Sequence, residues 1–509
     1  MKKILLIIIM HCALCIVHSN IYCQTTLPHD VADEFGKLLV YHNNRICPLQ
    51  TLARDYTIKL TGKTSYKDFT AEQVLLGWFF YHDEWRNEPM IKIKGKEVRN
   101  RLNIDSKYAS FNDFISPQGY KLVGSQGKNY SAADERYNLI MMHLTGSLMR
   151  IFPYKNQQST VNNQQTDNPS LIWFALNDQL PNEMSEAEQL FIHKSMSLVA
   201  EFLSNKEYEQ AISLIRQIRI YQDHQLGSLA PSKTKLIAER IYNHLNYNRL
   251  LAILLMSFGL ITYIITTIKP NKLLLITNYL LLIPISLYLT LSITLRGYIA
   301  GHFPLSNGFE TMQFLALIAS LIPLFYKITE YRLQNTEKSL HKYHLIMPNS
   351  TLICGVALMV ATMSELNPRI TLLMPVLQSP LLSIHVMVIM ISYALFALLA
   401  LNSIVNLIKN ETQETRYGTL YWALFLLTAG IFIGAIWANM SWGRYWGWDP
   451  KEVWALITML IYSLPLHRAS LPIFRNERFL NWYLVLAFLS VIITYFGVNF
   501  ILGGLHSYA

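Results

Sequence analysis

From residue 249 onward, long apolar runs alternate with short polar loops, whereas residues 25–245 mix polar and apolar positions as a globular chain does. Eight runs follow one another, over 250–268, 273–295, 309–326, 345–363, 381–408, 420–437, 453–466 and 480–500. A helix of about 20 apolar residues crosses a bilayer core of ~30 Å, and in hydrocarbon it satisfies its backbone hydrogen bonds internally. The pattern therefore predicts an all-α polytopic membrane domain of about eight transmembrane helices over 248–509. The seventh run is the shortest and needs the preceding Pro450-Lys451-Glu452 turn to reach across, while Pro323 and Pro348 interrupt the third and fourth.

Upstream, segments 71–80, 137–150 and 185–203 have helical spacing, 90–96 alternates like a short strand, and 206–247 reads as helices leading into the membrane. The Gln-, Asn-, Ser- and Thr-rich stretch 156–168 reads as an exposed loop. A mainly helical soluble domain is expected over 25–247. The chain opens Met1-Lys2-Lys3 and runs into an apolar stretch over 4–17, the form of a secretory signal. Residues 1–24 are read as a signal peptide cleaved near Cys23-Gln24 or, if retained, as a signal anchor.

The averages, 52% hydrophobic and 15% charged, conceal these two unlike regions. A formal charge of +10 could suggest nucleic acid, but the basic residues of the membrane half concentrate in alternate loops, which is a signature of orientation. One set of loops holds Lys269, Lys272, Lys327, Arg332, Lys338, Lys342, Lys409, Arg416, Arg468, Arg475 and Arg478; the other holds Arg296, Arg369, Arg444 and Lys451. Eleven against four makes the first set cytoplasmic by the positive-inside rule. The soluble domain then lies on the outer face, in agreement with a secretory signal. Loss of the leader leaves Cys47 and Cys354, in different regions, so no disulfide framework follows. Cys12-Ala-Leu-Cys15 is followed by Ile16 and not by His, so the chain carries no c-type haem attachment site of its own.

Between the sixth and seventh runs, IWANMSWGRYWGWDPKEVWALIT holds five of the chain's ten tryptophans: Trp437, Trp442, Trp446, Trp448 and Trp454. A bilayer belt uses one or two aromatic residues per helix end. The same loop carries Arg444, and Asp449-Pro450-Lys451-Glu452 reads as a helix start, with Asp as N-cap and Pro at the first helical position. A wide aromatic surface against a rigid helix start suits a flat, largely apolar ligand with polar edges, such as haem. The alternative is an interfacial belt around a re-entrant loop.

Fifteen histidines need membrane position as a filter. His385, near the outer end of the fifth run, and His506, just past the eighth, share the face of the tryptophan loop. His467 closes the seventh run at the cytoplasmic end, about 24 Å of helix from Lys451. An ionisable residue at membrane depth is a functional candidate because its desolvation is costly, and imidazole is a usual axial ligand of haem iron. Each has an alternative: a hydrogen-bonded helix residue for His385, a solvated tail for His506, and an interfacial anchor beside Arg468 for His467. His302, in RGYIAGHFPLSNGFE, is given a structural role because Pro304, Asn307 and Gly308 look like turn and helix-start chemistry.

WGRYWGWDPKEVWALIT resembles the tryptophan-rich WWD motif of haem-handling proteins in cytochrome c biogenesis, and its ending DPKEVWA is similar to the CcsA branch. GHFPLSNGFE, LQSPLLSIHV and GVNFILGGLHSYA agree in order and spacing. The resemblance covers about 250–509. It implies that the protein acts with a CcsB/ResB-like membrane subunit to bring haem b, held non-covalently, to the outer face of the bacterial cytoplasmic membrane and attach it to apocytochrome c. It also implies a thioredoxin-like protein that keeps the apocytochrome thiols reduced. Under it His385 and His506 ligate haem iron at an outer site beside Trp442, Trp446, Trp448, Arg444 and Asp449, and His467 ligates it at an inner site. NNRICPLQTLARDYTIKLTGK more loosely resembles the segment ahead of the CcsA part in fused CcsB–CcsA proteins, with Cys47 replacing a basic residue. The second inner histidine is not identifiable in this chain. Two other functions stay open: a haem exporter or chaperone without synthase activity, and a b-haem electron-transfer membrane protein.

Overall fold

The computed structural model describes residues 25–502, apart from 156–170, 246, 270, 333–344, 364–365, 367, 372, 374 and 410–414. The leader, the polar stretch 156–168 and His506 lie outside the described residues. Two compact units are present: one reaches His42 and continues over Ile46–Pro231, and the other comprises Asn43–Arg45 and everything from Ser232.

The first unit is mainly helical, as expected. Its principal helices are α1 (His29–Gly36), α2 (Leu49–Thr61), α3 (Ala71–Phe80), α4 (Lys128–Leu144), α5 (Glu186–Ser204) and α6 (Tyr208–Leu226). Helix α3 covers the segment read from spacing and starts with a reciprocal capping box between Thr70 and Gln73. Ser185 caps α5 through Glu188 N. Helix α4 starts well ahead of residue 137 and stops at Leu144, because the polar stretch Lys128–Tyr137 is also helical and shows little apolar periodicity. The expected strand 90–96 shrinks to Ile91–Lys92, paired with Tyr108–Ala109; all sheets among the described residues are two-stranded.

The core is aromatic. Trp78 and Trp85 are fully buried, each removing an area from water that corresponds to roughly 4–6 kcal/mol of transfer free energy. Buried Gln222 exchanges hydrogen bonds with both backbone groups of Leu39 and donates a third to Ile151 O at 2.6 Å. His143 lies between the rings of Tyr56 and Phe79 and uses Nε2 against Leu75 O at 2.7 Å.

In the second unit, α7 (Lys233–His244) precedes eight helices that match the eight apolar runs: α8 (Asn248–Ile268), α9 (Lys272–Ala300), α10 (Gly308–Arg332), α11 (Ile346–Ala361), α12 (Pro380–Lys409), α13 (Thr415–Trp442), α14 (Pro450–Ser463) and α15 (Glu477–Ile492). Helix α15 continues as a π-helix over Ile493–Leu502. Six are long and apolar enough to cross a membrane, with α11 shorter and α14 spanning 14 residues. This is a multi-pass membrane protein. Close packing without a hydrophobic drive between helices needs small residues. A Cβ on Gly355 of α11 would fall 2.4 Å from Met256 N of α8, and one on Gly259 of α8 would fall 2.7 Å from Leu352 N. Polar side chains inside the bundle pair with one another, Thr351 donating to Asn278 at 2.8 Å and Asn349 to Asn402 at 2.6 Å.

Arg296, counted above with the loops, sits within α9 and is fully buried. Its Nε donates to Glu310 of α10 at 2.7 Å, Nη1 to Tyr242 OH at 3.0 Å and Pro368 O at 2.7 Å, and Nη2 to Arg369 O at 3.0 Å. Four of the five guanidinium N–H groups are thereby used. The sequence pattern did not show this, because a charged residue near the end of an apolar run looks the same whether it faces water or a buried partner.

Burial holds the His143 imidazole down at about 4, below its ordinary 6.5. The unfolded chain therefore binds a proton that the folded unit refuses. The contribution of His143 is full above pH 6.5 and is lost between pH 6.5 and 4, at about 1.4 kcal/mol per pH unit. Thermal unfolding at pH 7 and pH 5 should show this loss, and His143→Phe, which keeps an aromatic ring in the site, should reduce it. An unchanged pH dependence in the variant would show that other groups set it.

Candidate functional site

Within the membrane unit, one open-mouthed cavity with about 1410 Å³ of empty space, mouth included, collects residues from four separated segments. Leu305, Ser306, Asn307 and Gly308 come from the turn into α10; Leu377, Leu382, His385 and Val386 from the start of α12; Trp446, Lys451 and Glu452 from the loop into α14; Asn499 and Phe500 from the π-helix. These belong to the four stretches on which the family resemblance rests.

Two of them are helix starts. Asn307 caps α10, its Oδ1 accepting from Glu310 N at 3.0 Å, and Glu310 Oε2 accepts from Ser306 N and Oγ at 2.7 Å each. Asp449 caps α14 with Oδ1 accepting from Lys451 N at 3.0 Å, and Glu452 Oε2 reaches back to Asp449 N at 3.3 Å and Gly447 N at 2.8 Å. Both starts were legible as capping chemistry. Asp449 is 5% exposed and its carboxylate serves the cap, so it positions Lys451 and Glu452 without lining the cavity itself.

His385, half-buried, stands on the second turn of α12 and lines the cavity. Its Nδ1 lies 2.7 Å from Gly430 O of α13. A carbonyl only accepts, so Nδ1 is the donor, and in the neutral ring the lone pair then lies on Nε2.

The tryptophan stretch is less of a loop than its glycines suggest. Helix α13 runs to Trp442, so Trp437 and Trp442 are helical and meet edge-to-face at 4.8 Å. Trp437 and Trp446 line the cavity. Trp448 is 73% exposed at φ 55°, a costly conformation for a bulky residue, and its ring meets Trp446 edge-to-face at 6.1 Å. Arg444 is exposed and lies against Gly447, away from the cavity lining. Lys451 lines the cavity and donates to Asn499 Oδ1 at 2.8 Å.

His467 ends a 3₁₀ turn, Leu464–His467, beyond the C-terminus of α14 and is exposed. The length of α14, about 21 Å, separates it from the cavity. His302 turns Nδ1 to Phe303 O at 3.1 Å and does not line the cavity.

Tyr393, Thr311, Thr494, Tyr495 and Asn499 also line the space and were missed. Thr311 and Tyr495 hydroxyls are 2.7 Å apart. A π-helix closes its hydrogen bonds from i to i+5, which stacks Thr494 with Asn499 and Tyr495 with Phe500; all four line the cavity. The available signal was a polar residue inside an apolar run, but its facing depends on a winding that sequence periodicity does not reveal.

Residues 305–506 match the family described as Cytochrome C assembly protein. The CcsA cytochrome c biogenesis protein of Trachelium caeruleum is 31% identical over 328 residues, covering 53% of this chain and 96% of that protein. This chain belongs to the CcsA family of cytochrome c biogenesis proteins. The CcsA protein of Chlamydomonas reinhardtii is 37% identical over 240 residues, 44% of this chain and 65% of that protein. Protein NrfI of Wolinella succinogenes is 31% identical over 523 residues, covering 94% of this chain, N-terminal domain included, but only 55% of its own length. This CcsA-family chain thus spans about half to two thirds of those last two relatives. A solved structure of the cytochrome c haem lyase CcmF gives a TM-score of 0.36 at 16% identity over 49% of this chain and 46% of that one, too slight a likeness to carry an argument.

The cap on α14 is testable. Asp449→Ala should destabilise the membrane unit by about 1 kcal/mol, within a range of roughly 0.5–2, whereas Asp449→Asn, an equally good cap, should lose little. Apparent unfolding midpoints of the solubilised protein separate the two. Equal loss in both variants would assign the effect to the charge and not to the cap.

Proposed function

We propose that the cavity receives haem as substrate and presents it on the outer face of the membrane to a Cys-x-x-Cys-His segment of apocytochrome c. The observation that carries this reading is the convergence of four separated segments on one largely apolar cavity with His385 in its wall. The donor set fits the ligand: a neutral imidazole for iron, Trp437, Tyr445 and Trp446 for the porphyrin plane, and Lys451 with Asn499 for carboxylate edges beside the positive end of α14. His506, six residues past Phe500, is the second axial ligand in this reading. Trp442 buttresses Trp437, and Trp448 with Arg444 flanks the mouth.

The reaction adds each cysteine thiol across a haem vinyl group, so that S–C and C–H bonds form as S–H and the vinyl π bond are lost. Thiolate is the nucleophile. The chain's contribution is orientation, which can supply about 7–11 kcal/mol when reacting atoms are held in line. Incoming substrate histidine displaces one imidazole ligand. A CcsB/ResB-like subunit supplies what this chain lacks for an inner site at His467, and a thioredoxin-like protein keeps the substrate thiols reduced. Without Arg296, the outer set of basic residues reduces to Arg369, Arg444 and Lys451, so the positive-inside argument for an outer cavity strengthens.

The purified protein should carry b-type haem, extractable by acid–acetone, with a low-spin bis-imidazole spectrum. His385→Ala and His506→Ala should each abolish maturation of a co-expressed apocytochrome, with partial rescue by added imidazole, while His302→Ala does much less. Equal losses in all three at normal protein levels would remove the basis for selecting these ligands. Covalently retained haem, or a high-spin five-coordinate spectrum, would contradict the bis-histidine site.

His467→Ala should lower haem occupancy of the cavity while leaving the cavity chemically intact, and imidazole should restore it. Haem per protein, with and without imidazole, is the measurement. Full occupancy without imidazole would end the two-site reading and leave His467 as a helix-end anchor beside Arg468.

A further inference from the structure

The wall that carries His385 is also a close helix crossing. Gly430 and Gly434 are four residues apart on α13 and share one face. Opposite them stand His385 and Ile389, likewise four apart on α12. A Cβ built on Gly434 would lie 2.7 Å from both Nδ1 and Cε1 of His385, and one on Gly430 would lie 2.5 Å from Ile389 Cδ1. Neither separation is tolerable between real atoms. The imidazole therefore rests its Nδ1–Cε1 edge where a side chain at 434 would be, one turn from the Gly430 carbonyl that receives its proton at 2.7 Å.

We propose that Gly430 and Gly434 form a positioning slot for His385: the Gly430 carbonyl selects the Nδ1–H tautomer, and the bare backbone at Gly434 lets the ring lie against α13, so that Nε2 meets haem iron in one orientation. The inference rests on His385 being an iron ligand. Its chemistry is that of outer-shell control, in which the second imidazole nitrogen donates to a carbonyl, fixing the ring and raising the basicity of the ligating nitrogen. A helical carbonyl can do this because it keeps a second lone pair beyond its own ladder bond. Most positions on α13 could not provide the slot, since any Cβ at 434 displaces the ring.

The test uses the full chain with its haem. Gly434→Ala should weaken haem retention on the order of 10–100-fold, shift the low-spin spectrum, and recover both on addition of imidazole. Gly418→Ala, on the same helix with nothing within 4 Å, should behave as wild type. To separate ring seating from general misfolding, Gly434→Ala is also placed on His385→Gly. With no ring to displace, the double variant should accumulate and respond to imidazole as His385→Gly does. Wild-type retention and spectrum in Gly434→Ala, alongside loss of ligation in His385→Ala, would overturn the slot and leave the ligand assignment standing. An unchanged spectrum in His385→Ala would overturn both. Poor accumulation of the double variant relative to His385→Gly would make Gly434 a helix-packing residue only.

Discussion

A fully buried guanidinium sets the frame of the membrane unit. Arg296 cannot stay charged away from water unless its donors are filled, since an unpaired charge in a low-dielectric interior costs several kcal/mol. Filling them takes Glu310 of α10, Tyr242 of α7 and the carbonyls of Pro368 and Arg369. Glu310 then uses its other oxygen on Ser306, which lines the cavity. One charge thus fixes a helix pair, the approach to α12 and the turn that forms part of the cavity wall. Breaking a pair of this kind is far more costly than never having made it, because the partner is left desolvated.

The opposite side of the cavity is set by a cap. Asp449 and Glu452 hold the last residues of the tryptophan loop to the first turn of α14, and Lys451 emerges from that turn toward Asn499. Asp449, the acidic residue of the tryptophan-rich motif, places its carboxylate in the cap of α14. Trp448 shows the complementary case. It is exposed, at positive φ, and meets Trp446 edge-to-face, a strained arrangement of the kind that concentrates at functional sites.

Between these two anchors the cavity is apolar with polar points: one imidazole whose tautomer is set by a helix carbonyl, one lysine held by an asparagine, and paired hydroxyls of Thr311 and Tyr495. Small residues on α13 bring its backbone within reach of the His385 ring. In a bundle where lipid is as apolar as leucine, such close approaches and interhelical hydrogen bonds are what hold helices together, so the features that build the site also build the fold.

Much of this was written locally along the chain. Eight apolar runs became eight helices because hydrocarbon leaves the backbone no other partner than itself, and Asn307 and Asp449 announced helix starts because a capping side chain bonds within three residues of its own position. Trp446 and His385, singled out from motif and membrane position, both line the one cavity described above. What only tertiary structure decided involves distant partners or altered winding. Arg296 reads as a loop charge until Glu310 is placed against it, Trp442 reads as a loop aromatic until α13 is seen to continue through it, and Asn499 and Tyr495 face the cavity only because the chain closes i to i+5 hydrogen bonds there. Periodicity reports the face of a regular helix, whereas burial of a charge, extension of a helix end and a change of winding depend on neighbours that lie far away in sequence.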